Sequence, residues 1–156
     1  MKDCLEKNHD YFMRHALKEA IKAKNKDEVP VGAVLTLNGK VVAKAHNTKN
    51  IKRNALLHAE VVVLSKAMKK LNDWHLNDCT LYVTLEPCPM CAGAIINSRV
   101  GTVVFGASDP KAGCFGSVFN FAAEKTFNHR PQIVEGVLKK ECGEILTNYF
   151  KEKRGK

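Results

Sequence analysis

The sequence predicts an α/β fold in which a mixed sheet of about five strands packs against helices. Two observations predict it most directly. Asn38-Gly39 separates two apolar runs, residues 31–37 and 40–45, and Asn-Gly readily supplies the positive φ angles of a tight β-hairpin turn. Residues 80–105 contain a strand pattern, a helix pattern and a second strand pattern, which together form a parallel βαβ unit with a right-handed crossover. A hairpin and a parallel pair in one chain make the predicted sheet mixed.

The two N-terminal helices are predicted from apolar residues at helical spacing. Residues 11–24 place apolar side chains in four-residue steps between charged ones, and Pro30 prevents the helix from resuming. Residues 58–71 contain Val61-Val62-Val63, which alone would favour a strand, because branched side chains lose rotamer freedom in helices. The length of this segment and the spacing of its apolar residues favour a largely buried helix instead.

The C-terminal third contains a long segment without a regular pattern. Residues 106–130 are rich in Gly, Asn and aromatic residues and have no clean period, so they predict a loop region with at most short helices. Residues 132–135 predict a last strand, and residues 141–153 predict a final helix with a basic tail. The apolar residues expected on or near the buried face of this helix are Ile145, Leu146, Tyr149 and Phe150. We expect residues 1–156 to form one domain, with the final helix and tail, about residues 141–156, packed on it.

The composition is typical of a soluble globular protein and excludes a membrane helix. Of the 156 residues, 45% are hydrophobic and 26% are charged, and no run approaches the roughly 20 apolar residues that cross a bilayer. Because the N-terminus lacks the apolar region of a signal peptide, we expect a cytoplasmic protein whose six cysteines are thiols or metal ligands. The net charge of +9 suits a polyanionic partner, although a lysine-biased genome would give the same count.

Two short motifs predict a metal centre. Cys88 and Cys91 lie three residues apart near the start of a predicted helix, so they share one face. His58 lies at the start of another predicted helix. Zinc binds thiolate and imidazole, and a catalytic zinc usually has three such ligands with a fourth position left for water. Both helix N-termini carry a partial positive charge that stabilises thiolates and a bound hydroxide.

Glu60 favours a catalytic zinc site over a structural one. Hydrolysis needs a base for the metal-bound water, whereas a structural site needs no carboxylate two residues after its histidine. Positions 58 and 60 of an ideal helix are about 200° apart, so we predict that His58 lies in the first, irregular turn. The alternatives are a redox Cys-x-x-Cys pair and a structural site with a fourth cysteine ligand. The candidates for that fourth ligand are Cys4, Cys79, Cys114 and Cys142.

Together, His58-Ala59-Glu60 and Pro87-Cys88-Pro89-Met90-Cys91 match the signature of zinc nucleobase deaminases. From about residue 11 to residue 154, the chain resembles the bacterial tRNA adenosine deaminases of the zinc-dependent cytidine and deoxycytidylate deaminase superfamily. The segments that carry this resemblance are residues 29–34, 81–94, 103–107, 109–111 and 128–130. The resemblance implies a cytidine-deaminase-like three-layer α/β/α sandwich, a homodimer and one zinc ion per subunit. It also implies conversion of adenosine to inosine at the wobble position of a tRNA anticodon, typically that of arginine tRNA.

The same resemblance implies roles for individual residues. His58, Cys88 and Cys91 would hold zinc, and zinc-bound hydroxide would attack C6 of adenine. Glu60 would take the water proton and deliver protons to the ring and to the departing ammonia. Asn47 would contact the inserted nucleoside. The residues implied at the anticodon stem-loop are Asp109, Lys111, His129, Arg130, Tyr149, Phe150, Lys153 and Arg154.

Two segments depart from the pattern of this family. Asn54-Ala55-Leu56-Leu57 stands where the family often has Asp-Pro-Thr-Ala, in the loop that leads into the active site. Cys114-Phe115 is bulkier than the small residues that are common at that point. Neither change touches the zinc ligands, and we expect both to bear on how the loops meet RNA.

Two other functions fit parts of the sequence. One is a zinc-dependent deaminase of a free nucleobase or nucleoside, of the guanine or cytosine type. The other is a non-catalytic, zinc-stabilised RNA-binding module. A C-terminal helix that ends in Lys151, Lys153 and Arg154 favours RNA over a free base, because a small nucleobase needs no phosphate-binding rim. Glu60 favours an enzyme over a binding module.

Overall fold

The helices and strands follow the predicted order in a computed structural model, which describes residues 2–155, with side chains from residue 9 to residue 155. The helices are α1 (Lys2–Asn25), α2 (Lys49–Lys52), α3 (Ala59–Leu71), α4 (Pro89–Asn97) and α5 (Lys139–Arg154). The strands are β1 (Gly32–Leu37), β2 (Lys40–His46), β3 (Cys79–Leu85), β4 (Thr102–Ala107) and β5 (Gln132–Val134). Between β4 and β5 the chain is irregular, with a single 3₁₀ turn at Phe121–Ala123, as the lack of periodicity predicts.

The strands form one mixed sheet of five, in the order β2-β1-β3-β4-β5. The predicted hairpin is confirmed, since β1 and β2 are antiparallel and Asn38 and Gly39 have φ angles of 53° and 73°. The predicted βαβ unit is also confirmed, because β3 and β4 are parallel neighbours joined by α4. Strand β1 pairs antiparallel with β3 and so joins the hairpin to the parallel half.

Helices cover both faces of the sheet and complete a three-layer α/β/α sandwich. Successive strand residues point to opposite faces. Leu81 and Val83 therefore pack in the cluster that contains α3 and α4, whereas Tyr82 packs with α1 and α5. The predicted fold class is confirmed. No helix within residues 2–155 combines the length and the apolar character needed to cross a membrane.

The structure differs from the sequence prediction at two places that matter for the site. Residues 47–54 after β2 are mostly polar and predict a loop, but they contain a short helix, α2. Phe150 was expected on or near the buried face of the last helix, but its side chain is 45% exposed, while Tyr149 is 7% exposed. The reason is that α1 already covers β1 and β3, so α5 buries only a narrow stripe beside β4.

Candidate active site

The N-termini of α3 and α4 bring the two predicted motifs together. His58 caps α3 in an extended conformation (φ −70°, ψ 152°), and Cys88 caps α4 in a similar one (φ −77°, ψ 175°). Pro89 occupies the first turn of α4, where its fixed φ suits a helix start, and Cys91 follows within that turn. The prediction that His58 lies outside regular helix is confirmed. Its extended backbone lets His58 and Glu60 border the same cavity.

His58, Cys88 and Cys91 form a compact group of possible metal ligands. The Nδ1 atom of His58 lies 3.7 Å from Cys88 Sγ and 3.5 Å from Cys91 Sγ, and one ligand atom from each residue lies within 4.8 Å of the others. In a tetrahedral site with Zn–S near 2.3 Å and Zn–N near 2.0–2.1 Å, a nitrogen and a sulfur ligand are about 3.6 Å apart. The observed distances therefore suit zinc.

The other cysteines whose side chains are described do not complete a four-ligand site. Cys79, Cys114 and Cys142 are buried thiols outside the group of His58, Cys88 and Cys91. The side chain of Cys4 lies outside the described residues. Burial raises the pKa of the Cys142 thiol to about 12, as is typical of an inert structural cysteine. Within residues 9–155 the group has three protein ligands, which is the number usual for a catalytic zinc.

The surroundings of the two ligand cysteines shift their pKa values in opposite directions. A hydrogen bond with the Cys91 thiol lowers the pKa of Cys88 to about 4, against the opposing effect of burial, and His58 lowers it further. The same bond, together with burial, raises the pKa of Cys91 above its ordinary value. The hydrogen bond with Cys88 in turn raises the pKa of His58. An anionic sulfur beside an imidazole is the donor type that zinc prefers.

Glu60 is a buried carboxyl group beside these ligands. It lies in the first turn of α3, and its side chain is 4% exposed. Burial raises the pKa of Glu60 to about 7, while its own backbone N–H opposes the shift. A carboxyl group in this environment can hold a proton or release it at the cavity wall.

A cavity of about 290 Å³ opens in front of these groups. The segment between β2 and α3 and the segment after β4 both contribute to its lining. The residues that line the cavity are Glu28, Val29, Asn47, Lys49, Asn50, His58, Glu60, Leu85, Glu86, Cys88, Asp109 and Ala112. The site is thus a recess that ends at the possible metal ligands and at Glu60.

Asn47, the predicted nucleoside contact, stands in this wall and also supports it. Its Oδ1 atom accepts the N–H of Ala59 at 2.8 Å, and its Nδ2 atom donates to the Val29 carbonyl at 3.0 Å. The side chain therefore links the start of α3 to the residues before β1. These two hydrogen bonds give the asparagine directly after β2 a structural role.

Glu28, Lys49 and Glu86 also line the cavity, and no motif in the sequence predicts them. The carboxylate of Glu28 is 1% exposed and accepts the N–H groups of Asn50 at 2.9 Å and Ile51 at 3.0 Å. Glu86 is 2% exposed. Glu86 lies within residues 81–94, which carry the family resemblance, and it is an acidic residue directly before Pro87-Cys88, but neither feature gives it a role. Charged residues are almost never fully buried without partners. The backbone N–H groups of α2 are the partners of Glu28, and the partners of Glu86 are described below.

The residues predicted to contact RNA divide into two groups. Asp109 borders the catalytic cavity, and Lys111 and Phe150 border an adjoining cavity of about 530 Å³ that also contains Asp109. Lys111, Phe150, Lys153 and Arg154 line a further recess of about 510 Å³ on the same side. We call the surface formed by Lys111, Phe150, Lys153 and Arg154 the outer surface.

The other predicted contacts lie elsewhere. Tyr149 is buried, and its hydroxyl donates to the Asp27 carbonyl at 3.4 Å. His129 donates from Nε2 to the Val100 carbonyl at 2.6 Å and borders a separate cavity with Trp74, Arg99 and Phe127. Arg130 is exposed next to it. These three residues do not border the catalytic cavity.

Comparisons with known proteins agree with this geometry. Residues 7–154 match the MafB19-like deaminase family. The chain is 52% identical over 147 residues to the tRNA-specific adenosine deaminase of Bacillus subtilis, covering 94% of this chain and 91% of that protein. It is 43% identical over 145 residues to the tRNA-specific adenosine deaminase of Aquifex aeolicus, covering 93% and 95%. The chain belongs to this deaminase family.

The fold of this deaminase is similar to two solved structures. One comes from biochemical and structural work on A-to-I editing by tRNA:A34 deaminases at the wobble position of transfer RNA. Its TM-score is 0.85 at 42% identity, and the match covers 87% of this chain and 99% of that one. The other is the guanine deaminase of Bacillus subtilis, with a TM-score of 0.63 at 27% identity, covering 95% and 94%. The predicted family and fold are therefore confirmed.

Proposed function

We propose that this deaminase converts adenosine to inosine at the wobble position of a tRNA anticodon, typically that of arginine tRNA. The observation that carries the proposal is the convergence of His58, Cys88 and Cys91, within 4.8 Å of one another, beside the buried Glu60. The similarity to the tRNA:A34 deaminase structure, at 42% identity, supports the substrate. The overall reaction adds water to adenosine and releases inosine and ammonia.

His58, Cys88 and Cys91 would hold one zinc ion per subunit. The spacing of their nitrogen and sulfur atoms supports this assignment, as do the thiolate character of Cys88 and the absence of a fourth protein ligand within residues 9–155. When bound, zinc supplies a Lewis acid that lowers the pKa of water to about 7. His58 and Cys88 cap α3 and α4, and Cys91 lies in the first turn of α4, so the two helix starts position all three ligands.

Glu60 would carry protons between water and substrate. Its carboxylate accepts the proton that water releases as C6 of the base is attacked. It passes this proton to the ring, then takes the second proton from the new C6 hydroxyl and passes it to the leaving amine, so that ammonia departs, the C6 carbonyl forms and the carboxylate is regenerated. The position of Glu60 on the wall of the same cavity as His58 and Cys88 supports this role, since a general base must reach the reacting atoms.

Asn47 and Asp109 would bind the nucleoside at the mouth of the cavity. Both line it, from different loops. Asn47 keeps its hydrogen bonds to Ala59 and Val29, so it would use the remaining hydrogen-bonding capacity of its amide.

The outer surface supports RNA as the substrate in preference to a free base. Lys111, Lys153 and Arg154 place positive charge beside the catalytic cavity, and Phe150 presents a ring that is 45% exposed. Lysine and arginine contact phosphates, and an exposed aromatic ring can stack on an unpaired base. A free nucleobase would leave all four residues without a role. The assignments of His129, Arg130 and Tyr149 to the stem-loop remain predictions.

We further propose that residues 1–156 form a single deaminase domain that works as a homodimer in the cytoplasm. The family match over residues 7–154 supports one domain, and the resemblance described above implies the dimer. A tRNA substrate favours the cytoplasm as the compartment.

The proposal is tested with a purified anticodon stem-loop RNA that carries adenosine at the wobble position. Inosine and ammonia are measured, with free adenosine, cytosine and guanine as competing substrates. We expect turnover of the stem-loop and little turnover of the small molecules. The similarity to a guanine deaminase makes guanine the informative alternative. Turnover of guanine together with an inert stem-loop would overturn the proposal.

A further inference from the structure

We propose that Glu86 is a positioning residue: its buried carboxylate holds residues 109–117 in place as one wall of the catalytic cavity and so sets the affinity for the RNA substrate. We call residues 109–117 the Glu86 loop. This inference rests on the proposed function for its substrate, and on the hydrogen bonds of Glu86 for its mechanism.

Among residues 9–155, every hydrogen bond to the Glu86 side chain comes from the Glu86 loop. Oε1 accepts the N–H of Asp109 at 3.0 Å, and Oε2 accepts the N–H groups of Phe115 at 3.0 Å and Ser117 at 3.1 Å. The Ser117 hydroxyl also donates to Oε1. The two carboxylate oxygens thus link both ends of the loop by accepting hydrogen bonds from its N–H and O–H groups.

The loop is built around this carboxylate. Within residues 9–155 the structure contains no ion pair to Glu86, so its negative charge is balanced by N–H and O–H donors. Gly113 passes directly over the carboxyl group, and a Cβ atom at that position would collide with it. A larger residue at position 113 would displace the loop.

The same loop carries the residues that face substrate. Asp109 and Ala112 line the catalytic cavity, and Lys111 lines the outer surface. The side chain of Asp109 also accepts the N–H of Lys111 at 3.0 Å, which fixes the turn between them. Although Glu86 also lines the cavity, its four side-chain hydrogen bonds within residues 9–155 all come from the loop, so we assign its effect to the loop.

A substitution that keeps the shape of Glu86 but changes its hydrogen bonding separates this role from others. In Glu86→Gln, one acceptor oxygen becomes an NH₂ group that faces N–H donors, so at least one buried donor loses its partner. We expect KM for the stem-loop to rise about tenfold or more, with kcat changed less than about threefold and zinc content unchanged. A purely structural defect would instead lower active protein and kcat without raising KM.

The rate of proteolysis tests whether the Glu86 loop is held in place, independently of catalysis. Lys111 is exposed in the loop, so trypsin cleavage after it produces a new N-terminus at Ala112 that mass spectrometry identifies. We expect Glu86→Gln to accelerate this cleavage about tenfold. If KM and cleavage both match the wild type, the inference is wrong. Loss of zinc at an unchanged cleavage rate would also contradict it, because Glu86 would then act on the metal ligands.

Ser117→Ala keeps the test decisive if Glu86→Gln fails to fold. It removes only the hydroxyl donor to Oε1, and we expect increases of about threefold in both KM and cleavage. Glu124→Gln is the matched control, because Glu124 is an exposed carboxylate that accepts two hydrogen bonds from Thr126 in another loop. It should change neither measurement. A wild-type protein inert towards the stem-loop, with accelerated cleavage in Glu86→Gln, would refute the proposed function but not the loop contact.

Discussion

The catalytic centre and the outer surface lie side by side but are built differently. His58, Glu60 and Cys91 belong to helix starts that are packed against the sheet, and Glu60 and Cys91 are buried. The outer surface is formed by a loop and the exposed side of α5, and its lysines and arginine lie in solvent. Under the proposed function, a few buried atoms determine the chemistry, whereas affinity for RNA is distributed over several exposed groups. Single changes should have very unequal effects in the two regions.

Removing the metal should have the largest effect. We expect a chelator to lower inosine formation by at least about 10⁴-fold, because Lewis acidity and the activation of water are lost together. Adding zinc should restore activity. Binding of the stem-loop should weaken by less than about threefold, because the outer surface holds no proposed zinc ligand. Metal content is followed by atomic spectroscopy and binding by fluorescence anisotropy. Full activity in metal-free protein would contradict the zinc assignment.

Glu60→Ala should have the second-largest effect on activity. It removes the proton carrier but none of the proposed zinc ligands, so we expect inosine formation to fall by about 10²–10⁴-fold. Zinc content and stem-loop affinity should stay near the wild-type values. Glu124→Ala serves as control for loss of a carboxylate far from the site. Unchanged biological activity in Glu60→Ala would support a non-catalytic RNA-binding module.

Phe150→Ala should produce an intermediate effect, limited to binding. Stacking of a base on an aromatic ring contributes about 1–3 kcal/mol, so the Kd for the stem-loop should rise about 5–150-fold. The Tm should change little, because the ring is 45% exposed. Tyr149→Phe sharpens the comparison: it removes the hydrogen bond to Asp27 and should lower stability by about 0.5–1.5 kcal/mol without changing Kd. A higher Kd in Tyr149→Phe together with lower stability in Phe150→Ala would instead assign RNA binding to Tyr149 and a structural role to Phe150.

Single cation substitutions should have the smallest effects. Lys111→Ala and Arg154→Ala should each weaken binding a few-fold and reduce the slope of log K against log salt by about 1, because each removes about one phosphate contact. Lys70→Ala, in the exposed last turn of α3, is the control with the same loss of charge. Lys153 should matter less than Arg154, since Lys153 already pairs with Asp27. A slope that stays constant in all these variants would exclude phosphate contacts.

The convergence of His58, Glu60, Cys88 and Cys91 could be predicted from the sequence because its signals are local. A tight turn at Asn38-Gly39 and a helix start at Pro89 depend on neighbouring residues alone. His58, Glu60, Cys88 and Cys91 occur in two short motifs, each at the start of a helix. Even the irregular turn at His58 follows from the geometry of a helix, which would otherwise separate His58 from Glu60.

Tertiary structure alone decided which distant residues reach the cavity. Tyr149 and Phe150 are adjacent in sequence, yet one is buried and the other lies on the outer surface, because α1 leaves α5 only a narrow stripe to cover. The supporting carboxylates Glu28 and Glu86 accept hydrogen bonds from residues more than 20 positions away. Such contacts depend on how the whole chain packs, and no local pattern in the sequence encodes them.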